Sequence, residues 1–288
     1  MHHLNDSVAL NTSQERLNAL VEVGLLLSSE RDKDKLISHI LMSGKRLSNC
    51  DAATLYLATE HDTLRFALRS RDDALPRQEL PLHDPQTGAP SENHVCTYVA
   101  LNKVTVNIAD VYREARFDLS GTRCFDAATG YRTVSMVTIP MLRRNGDVVG
   151  VLQFMNAIDA DSGDIVPFSS DVVEVLDALA SQAAISLDVN GLIAEQTALL
   201  DAIVRIIALA IDARSPYTGG HCRRIPELSV MLAEAACAQT EGPLADFGFK
   251  DEDEWREFRI GAWLHDCGKI AVPDHIIDKS VKLEMIYN

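Results

Sequence analysis

TVSMVTIPMLRRNGDVVGVLQFMNAID, residues 133–159, consists of two apolar, β-branched runs hinged on Asn145-Gly146. Such residues fit a pleated, half-buried surface, and Asn-Gly between two of these runs is a strong short hairpin signal. The stretch predicts two antiparallel strands over 133–144 and 147–159. Upstream, AATLYLAT (52–59) and TLRFALRS (63–70) are separated by Glu60-His61-Asp62 and read as a second hairpin. Two helices precede them. In the first, Leu17, Leu20, Val21, Leu25 and Leu27 recur at helical spacing. In the second, KDKLISHILMSGKRLSNC (33–50) keeps Leu36, Ile37, Ile40, Leu41 and Leu47 largely to one side. Residues 15–190 are thus expected to form an α+β domain, an antiparallel sheet with flanking helices, behind a tail of 1–14.

Residues 169–212 contain no proline and a single glycine, Gly191, which predicts one long connecting helix. Leu176, Ala180, Ala183, Leu187, Asn190 and Ala194 step by alternating fours and threes, the seam of a coiled coil. Beyond Gly191 the apolar stripe moves to Leu199, Ile203, Ile206, Ile207 and Ala210. The expectation is a parallel homodimer joined through the domain and this helix, with Asn190 setting register. The competing reading is a helix packed wholly within one chain.

A length of 288 residues points to about two domains. Hydrophobic content of 47% and charged content of 24% describe an ordinary globular chain. No apolar run reaches the roughly 18 residues of a membrane span, and MHHLNDSVALNTSQER lacks a signal-peptide pattern, so a cytoplasmic location is expected. Six cysteines without CxxC pairing read as reduced, mostly buried thiols. With 27 Lys plus Arg against 42 Asp plus Glu, the net charge of −15 argues against nucleic acid or an anionic membrane as partner. A phosphodiester substrate would need local cations: bound metals, Lys269, and Arg223 and Arg224 unless these are simply solvated.

Chemistry concentrates near the end of the chain, in Leu264-His265-Asp266-Cys267-Gly268-Lys269. On a helix, His265 and Asp266 lie about 100° apart and can lean on one metal, with Lys269 on the His265 face for a phosphate oxygen. Tyr217-Thr218-Gly219-Gly220-His221 reads as a turn opening a second helix and delivering a third ligand, His221. Imidazole with carboxylate favours a divalent transition metal, namely iron, manganese, nickel or zinc, over calcium.

YTGGHCRRI with WLHDCGKIAVPDHIIDK resembles the HD-GYP branch of the HD-domain phosphohydrolases, whose second motif usually reads LHDxGKxxxPDxxLxK. The resemblance implies an all-α domain over 214–288 in which paired metals activate water to hydrolyse cyclic di-GMP. It makes His221, His265 and Asp266 metal ligands, Asp266 also the bridge between metals, and Lys269 the phosphate contact. Three-metal members carry Glu four residues before the first histidine. Tyr217 stands there, so a two-metal site is expected. The family's later ligands and GYP motif do not occur before Asn288, and the pattern gives His275 no ligand role. The 288 residues are therefore read as carrying an incomplete site, inactive alone.

VNIADVYREARFD, SMVTIPMLRRNGDVVGVLQFMNA and the helix that follows resemble a GAF domain, a sensory or dimerising module with a six-stranded sheet and a small-molecule pocket. Asn107, Phe117 and Asp118 give only a loose echo of the Asn-Lys-Phe-Asp-Glu set of cyclic-nucleotide-binding members, so no ligand is assigned. Cys96 is followed by Thr97 rather than the His common beside a bilin cysteine, and His83 and His94 read as surface loop histidines rather than haem ligands. Three functions follow: a GAF-regulated cyclic di-GMP phosphodiesterase, an HD-type phosphohydrolase of another nucleotide, or a non-catalytic dimeric sensor.

Overall fold

The computed structural model describes residues 13–70, 79–92, 94–213, 221–273 and 276, and the chain divides into two compact units, 1–192 and 193–288. The first opens with helices α1 (Ser13–Ser29) and α2 (Lys33–Ser48). The carboxylate of Asp32 caps α2 by accepting from the N–H groups of Asp34 and Lys35 at 2.9 and 3.0 Å. Asn49, in the left-handed region at φ 45°, ends the helix, and its Nδ2 donates to the Ile158 carbonyl at 2.6 Å.

Among the described residues seven antiparallel strands form one sheet: β1 (Cys50–Ala58), β2 (Thr63–Arg69), β3 (Glu79–Pro81), β4 (Val106–Ile108), β5 (Met136–Leu142), β6 (Val148–Ile158) and β7 (Ile165–Val166). Their order is β3-β2-β1-β6-β5-β4, with β7 on β6. The sheet is one short strand larger than the resemblance implied. Both predicted hairpins are present. In the β5–β6 connection only Gly146 has positive φ, at 86°, and a register shift lies at Met141/Leu142. A turn with a single left-handed residue followed by a bulge, rather than a two-residue primed turn, therefore reverses the chain.

Alternation along the strands builds two cores. Ala53, Leu55, Leu57, Val137, Ile139, Leu152 and Phe154 face α1, α2 and helix α5 (Ser170–Asp212). Ala52, Tyr56, Val151, Met155 and Met136 face the other way, towards helix α3 (Val95–Asn102), and the start of helix α4 (Ser120–Thr129) lies on the same side.

Two helical expectations need correction. On α1 the buried residues are Ala19, Leu20, Val23 and Leu27, whereas Leu17, Val21 and Leu25 are 52%, 57% and 68% exposed. The core takes a narrower stripe than the apolar spacing alone implied. On α5, Leu176, Ala180, Ala183 and Leu187 are buried in this chain's own core, so they are not a free coiled-coil seam. Asn190 is likewise engaged within the chain, its Nδ2 donating to the Arg31 carbonyl at 2.7 Å. The same fours-and-threes pattern serves a helix packed on a sheet.

The described part of the second unit is helical: the end of α5, α6 (His221–Cys237), α7 (Glu252–Leu264) and a 3₁₀ turn at Cys267–Ala271. Asp251 caps α7 by accepting from Glu254 N–H at 3.0 Å. Asp201 and Arg205 of α5 meet α7 through a 3.0 Å ion pair with Arg256 and a guanidinium 5.8 Å from the Trp263 ring centre. No helix among the described residues is long and apolar enough to cross a membrane.

Candidate functional site

Two places bring chemistry-bearing side chains together, one in each unit. In the second unit, His221 is the first residue of α6 and His265 and Asp266 follow the last residue of α7. The turn before His221, with Tyr217, and also His275 lie outside the described residues. His221 Nε2 is 3.1 Å from His265 Nε2 and 3.6 Å from Asp266 Oδ2, and His265 Nε2 is 3.3 Å from the same oxygen. Ligand atoms about 2.0–2.1 Å from one metal are separated by roughly 2.8 to 3.4 Å in octahedral or tetrahedral arrangement. Two sides of the triangle fall in that range and the third, at 3.6 Å, is slightly longer, so the triangle is close to the size of a metal's ligand shell.

The tautomer of His265 agrees with that geometry. His265 Nδ1 lies 2.8 Å from the Ala262 carbonyl, which can only accept, so Nδ1 carries the proton and Nε2 presents its lone pair to the triangle. Burial alone would raise the Asp266 carboxyl, but the Lys269 ammonium, with His265 and His221, holds it below the usual carboxylate range.

One detail of the sequence reading is corrected here. His265 and Asp266 do not lie within one helix: α7 ends at Leu264 and Asp266 begins the 3₁₀ turn. Three residues per turn bring Lys269 over Asp266 rather than His265, and Nζ sits 2.6 Å from Asp266 Oδ2. Lys269 is thus the counter-charge of the carboxylate, three residues along from it. Arg223 and Arg224 are exposed. Cys222, beside His221, is buried, and burial, with Asp212 and Asp266 nearby, pushes its thiol up, away from a thiolate ligand.

In the first unit a cavity of about 260 Å³ opens between the sheet and the starts of α3 and α4. Tyr56, Phe66, Leu80, Val95, Met136 and Met155 supply its apolar wall, and Thr54, Arg69, His94 and Gln153 its polar groups. Its size is just below the about 300–1,000 Å³ of most small-molecule sites. Cys96 lines it as a buried thiol, raised to about 12 by burial, and is therefore protonated and a poor nucleophile. His94 lines it too, whereas His83 does not and is paired with Asp62.

The loose echo of a nucleotide-binding set is engaged in holding the fold. Asn107 Nδ2 donates to the Phe168 carbonyl at 3.0 Å, Phe117 packs edge-on against Tyr98, and Asp118 accepts from Ser120 N–H at 2.9 Å. None of the three lines the cavity. Apart from Cys96 and His94, sequence reading missed the residues that line it, because they come from seven separate elements.

The profile of the GAF domain matches residues 32–187, more than half of the chain. The chain belongs to the GAF domain family. The match covers α2, the sheet and the helices after it up to the middle of α5, and leaves out α1. The cGMP-specific 3',5'-cyclic phosphodiesterase of Drosophila melanogaster is 29% identical over 137 residues, 45% of this chain and 12% of that protein. Its Drosophila mojavensis counterpart is 30% identical over 166 residues, 53% of this chain and 14% of that protein. The chain thus spans a small fraction of the length of these relatives. Among solved structures, free methionine-R-sulfoxide reductase from Neisseria meningitidis aligns with TM-score 0.49 and 17% identity, covering 66% of this chain and 98% of that one. A GAF domain/HD domain protein from Geobacter sulfurreducens aligns with TM-score 0.42 and 17% identity, over 58% of this chain and 98% of that one.

Proposed function

We propose that this GAF protein carries the first ligands of an HD-type, metal-dependent phosphohydrolase centre whose complete domain hydrolyses a cyclic dinucleotide, cyclic di-GMP. The observation that carries the reading is the ligand-sized triangle of His221, His265 and Asp266, with a cation three residues on. His221 and His265 would hold an iron, manganese, nickel or zinc ion through Nε2, and Asp266 through its carboxylate, its second oxygen serving as bridge in a two-metal site. A bound metal supplies Lewis acidity and a water activated at neutral pH. The chain's own part is to orient and to neutralise. The Ala262 carbonyl fixes the His265 ring, and Lys269 offers the positive charge that a phosphate oxygen meets.

The test is metal binding by the 288-residue chain. Calorimetric titration with Mn²⁺ or Zn²⁺ should show saturable uptake that His265→Ala and Asp266→Ala each remove. Uptake unchanged in both variants would overturn the assignment. Three ligands serve one metal better than two, so tight binding of two ions per chain is not expected.

In this reading the GAF unit is the sensor, with the 260 Å³ cavity as its ligand site. Its dimer contact is the outward face of α1 and α5 rather than the buried positions of α5. Leu17, Val21 and Leu25 lie outward on α1, and Ile185, Val189 and Leu192, 56%, 43% and 58% exposed, form a stripe at helical spacing on α5. Helix α1 passes close to α5, where a Cβ on Gly24 would lie 3.0 Å from Gln182 Oε1. Six large apolar side chains on these two helices form the kind of patch that a second copy covers.

A further inference from the structure

The triangle of His221, His265 and Asp266 is carried by the start of α6 and the end of α7, and a third helix reaches both. Near the end of α5, Asp201, Arg205, Ala208 and Asp212 step by four, three and four, which sets them on one face. All four belong to the second unit. Ala208 and Asp212 are buried, whereas Leu199, Ile203 and Ile206, on the opposite face, are exposed. The end of α5 therefore has one engaged side.

That side meets both ligand-bearing elements. Asp201 Oδ1 accepts from Arg256 Nη2 at 3.0 Å, and the Arg205 guanidinium carbon lies 5.8 Å from the centre of the Trp263 ring. Arg256 and Trp263 are seven residues apart, about two turns along one face of α7. His265 follows Trp263 by two residues. At the other element, the Asp212 carboxylate lies beside the buried thiol of Cys222, the residue after His221. Helix α5 thus touches the chain immediately beside each imidazole.

What these contacts control is placement. The two imidazoles come from elements 44 residues apart, and their Nε2 atoms stay 3.1 Å apart only while α6 and α7 keep one relative position. Apparent affinity for an ion scales with the fraction of molecules in that arrangement. A contact that favours it therefore raises affinity without touching the ion. By linkage the effect is reciprocal: an ion that draws the imidazoles together must strengthen the α5 contacts by the same factor.

We infer that Arg205 and Asp201 are positioning residues of the metal centre, through which α5 holds the end of α7 at the spacing that brings His265 to the same ion as His221. The inference rests on the reading of His221, His265 and Asp266 as metal ligands.

Two measurements on the 288-residue chain test it. In calorimetric titration with Mn²⁺, Arg205→Ala should weaken affinity about two- to fivefold, the worth of an exposed cation–π contact, and Arg205→Lys should weaken it less. Arg205→Ala combined with Asp201→Ala should reach about tenfold. The second readout is optical. Trp255 and Trp263 are the chain's two tryptophans, so Trp255→Phe leaves Trp263 as the reporter. Saturating Zn²⁺, a closed-shell ion, should shift its emission. His265→Ala should abolish the shift and Arg205→Ala should reduce it. Emission indifferent to bound Zn²⁺, or an Mn²⁺ affinity unchanged in the double variant, would overturn the inference and leave the metal site standing. Absence of saturable uptake by the unsubstituted chain would overturn the metal reading, and the inference with it.

Discussion

Gly44 lies inside α2, where glycine is ordinarily a fault, yet alanine there should destabilise the protein. A methyl at Gly44 would stand 2.4 and 2.5 Å from Phe154 Cζ and Cε1 and 3.0 Å from Leu179 Cδ2, and both neighbours are fully buried. Carbon atoms settle at about 3.5–4.0 Å, so α2 must lift or the Phe154 ring must leave its place. Overpacking of this kind costs about 1–3 kcal/mol, and two immobile neighbours place Gly44 at the upper end. Alanine's helix preference returns about 1 kcal/mol. The net loss is about 2 kcal/mol, which at about 2–4 °C per kcal/mol for a unit of this size lowers the melting midpoint by about 4–8 °C. Gly191, in α5, supplies the control, because nothing lies within 4 Å of its added methyl. Alanine there should raise the midpoint by about 2–4 °C. Thermal unfolding by far-ultraviolet circular dichroism, with both single variants and the double variant, reads the two signs together, and the double should be near the sum. A Gly44→Ala midpoint at or above the unsubstituted protein's would refute the packing of α2 on Phe154.

Asn156, buried at φ 58° within β6, donates to the Tyr131 hydroxyl and the Arg132 carbonyl at 2.8 Å each and accepts from Val134 N–H at 2.7 Å. Asn156→Ala should cost about 2–4 kcal/mol in urea unfolding, and a neutral result would mean that the network is not native. Leu25→Asp with Val189→Asp should turn a dimer into a monomer by light scattering, and a dimer that survives both places the contact elsewhere. Burial holds the His94 imidazole below its ordinary 6.5, against Asp118, so the folded protein resists protonation there. Its stabilising contribution is complete above 6.5 and is lost as pH falls from that value through the folded one. His94→Gln should flatten the fall in melting midpoint over this window, and an unchanged slope would assign it to other groups.

Both long hairpins were legible because period-2 alternation and a polar turn report the same local geometry. The burial of α5 was not. An amphipathic helix carries the same spacing whether its stripe meets a partner chain or the chain's own sheet, and only the strands opposite decide. Leu176, Ala180, Ala183 and Leu187 meet the sheet core, while Ile185, Val189 and Leu192, outside the supposed seam, stay exposed. Asn190 shows the same ambiguity in one side chain: its partner is Arg31, 159 residues away in sequence.

The two sites were legible to different depths for a reason set by chain topology. His221, His265 and Asp266 are ligand-type residues beside helix ends, so their types and the turns around them were enough to suggest convergence. The 3₁₀ turn that moved Lys269 onto Asp266, and the Ala262 carbonyl that sets the His265 tautomer, depend on backbone hydrogen bonds that no residue type announces. The cavity is the harder case. Arg69, Thr54, Gln153 and Thr138 are each unremarked in their own strand, one polar residue on a face where alternation already allows some. They become a feature only when register lays them side by side across four strands, and a one-residue slip in any pairing would carry that strand's member to the opposite face.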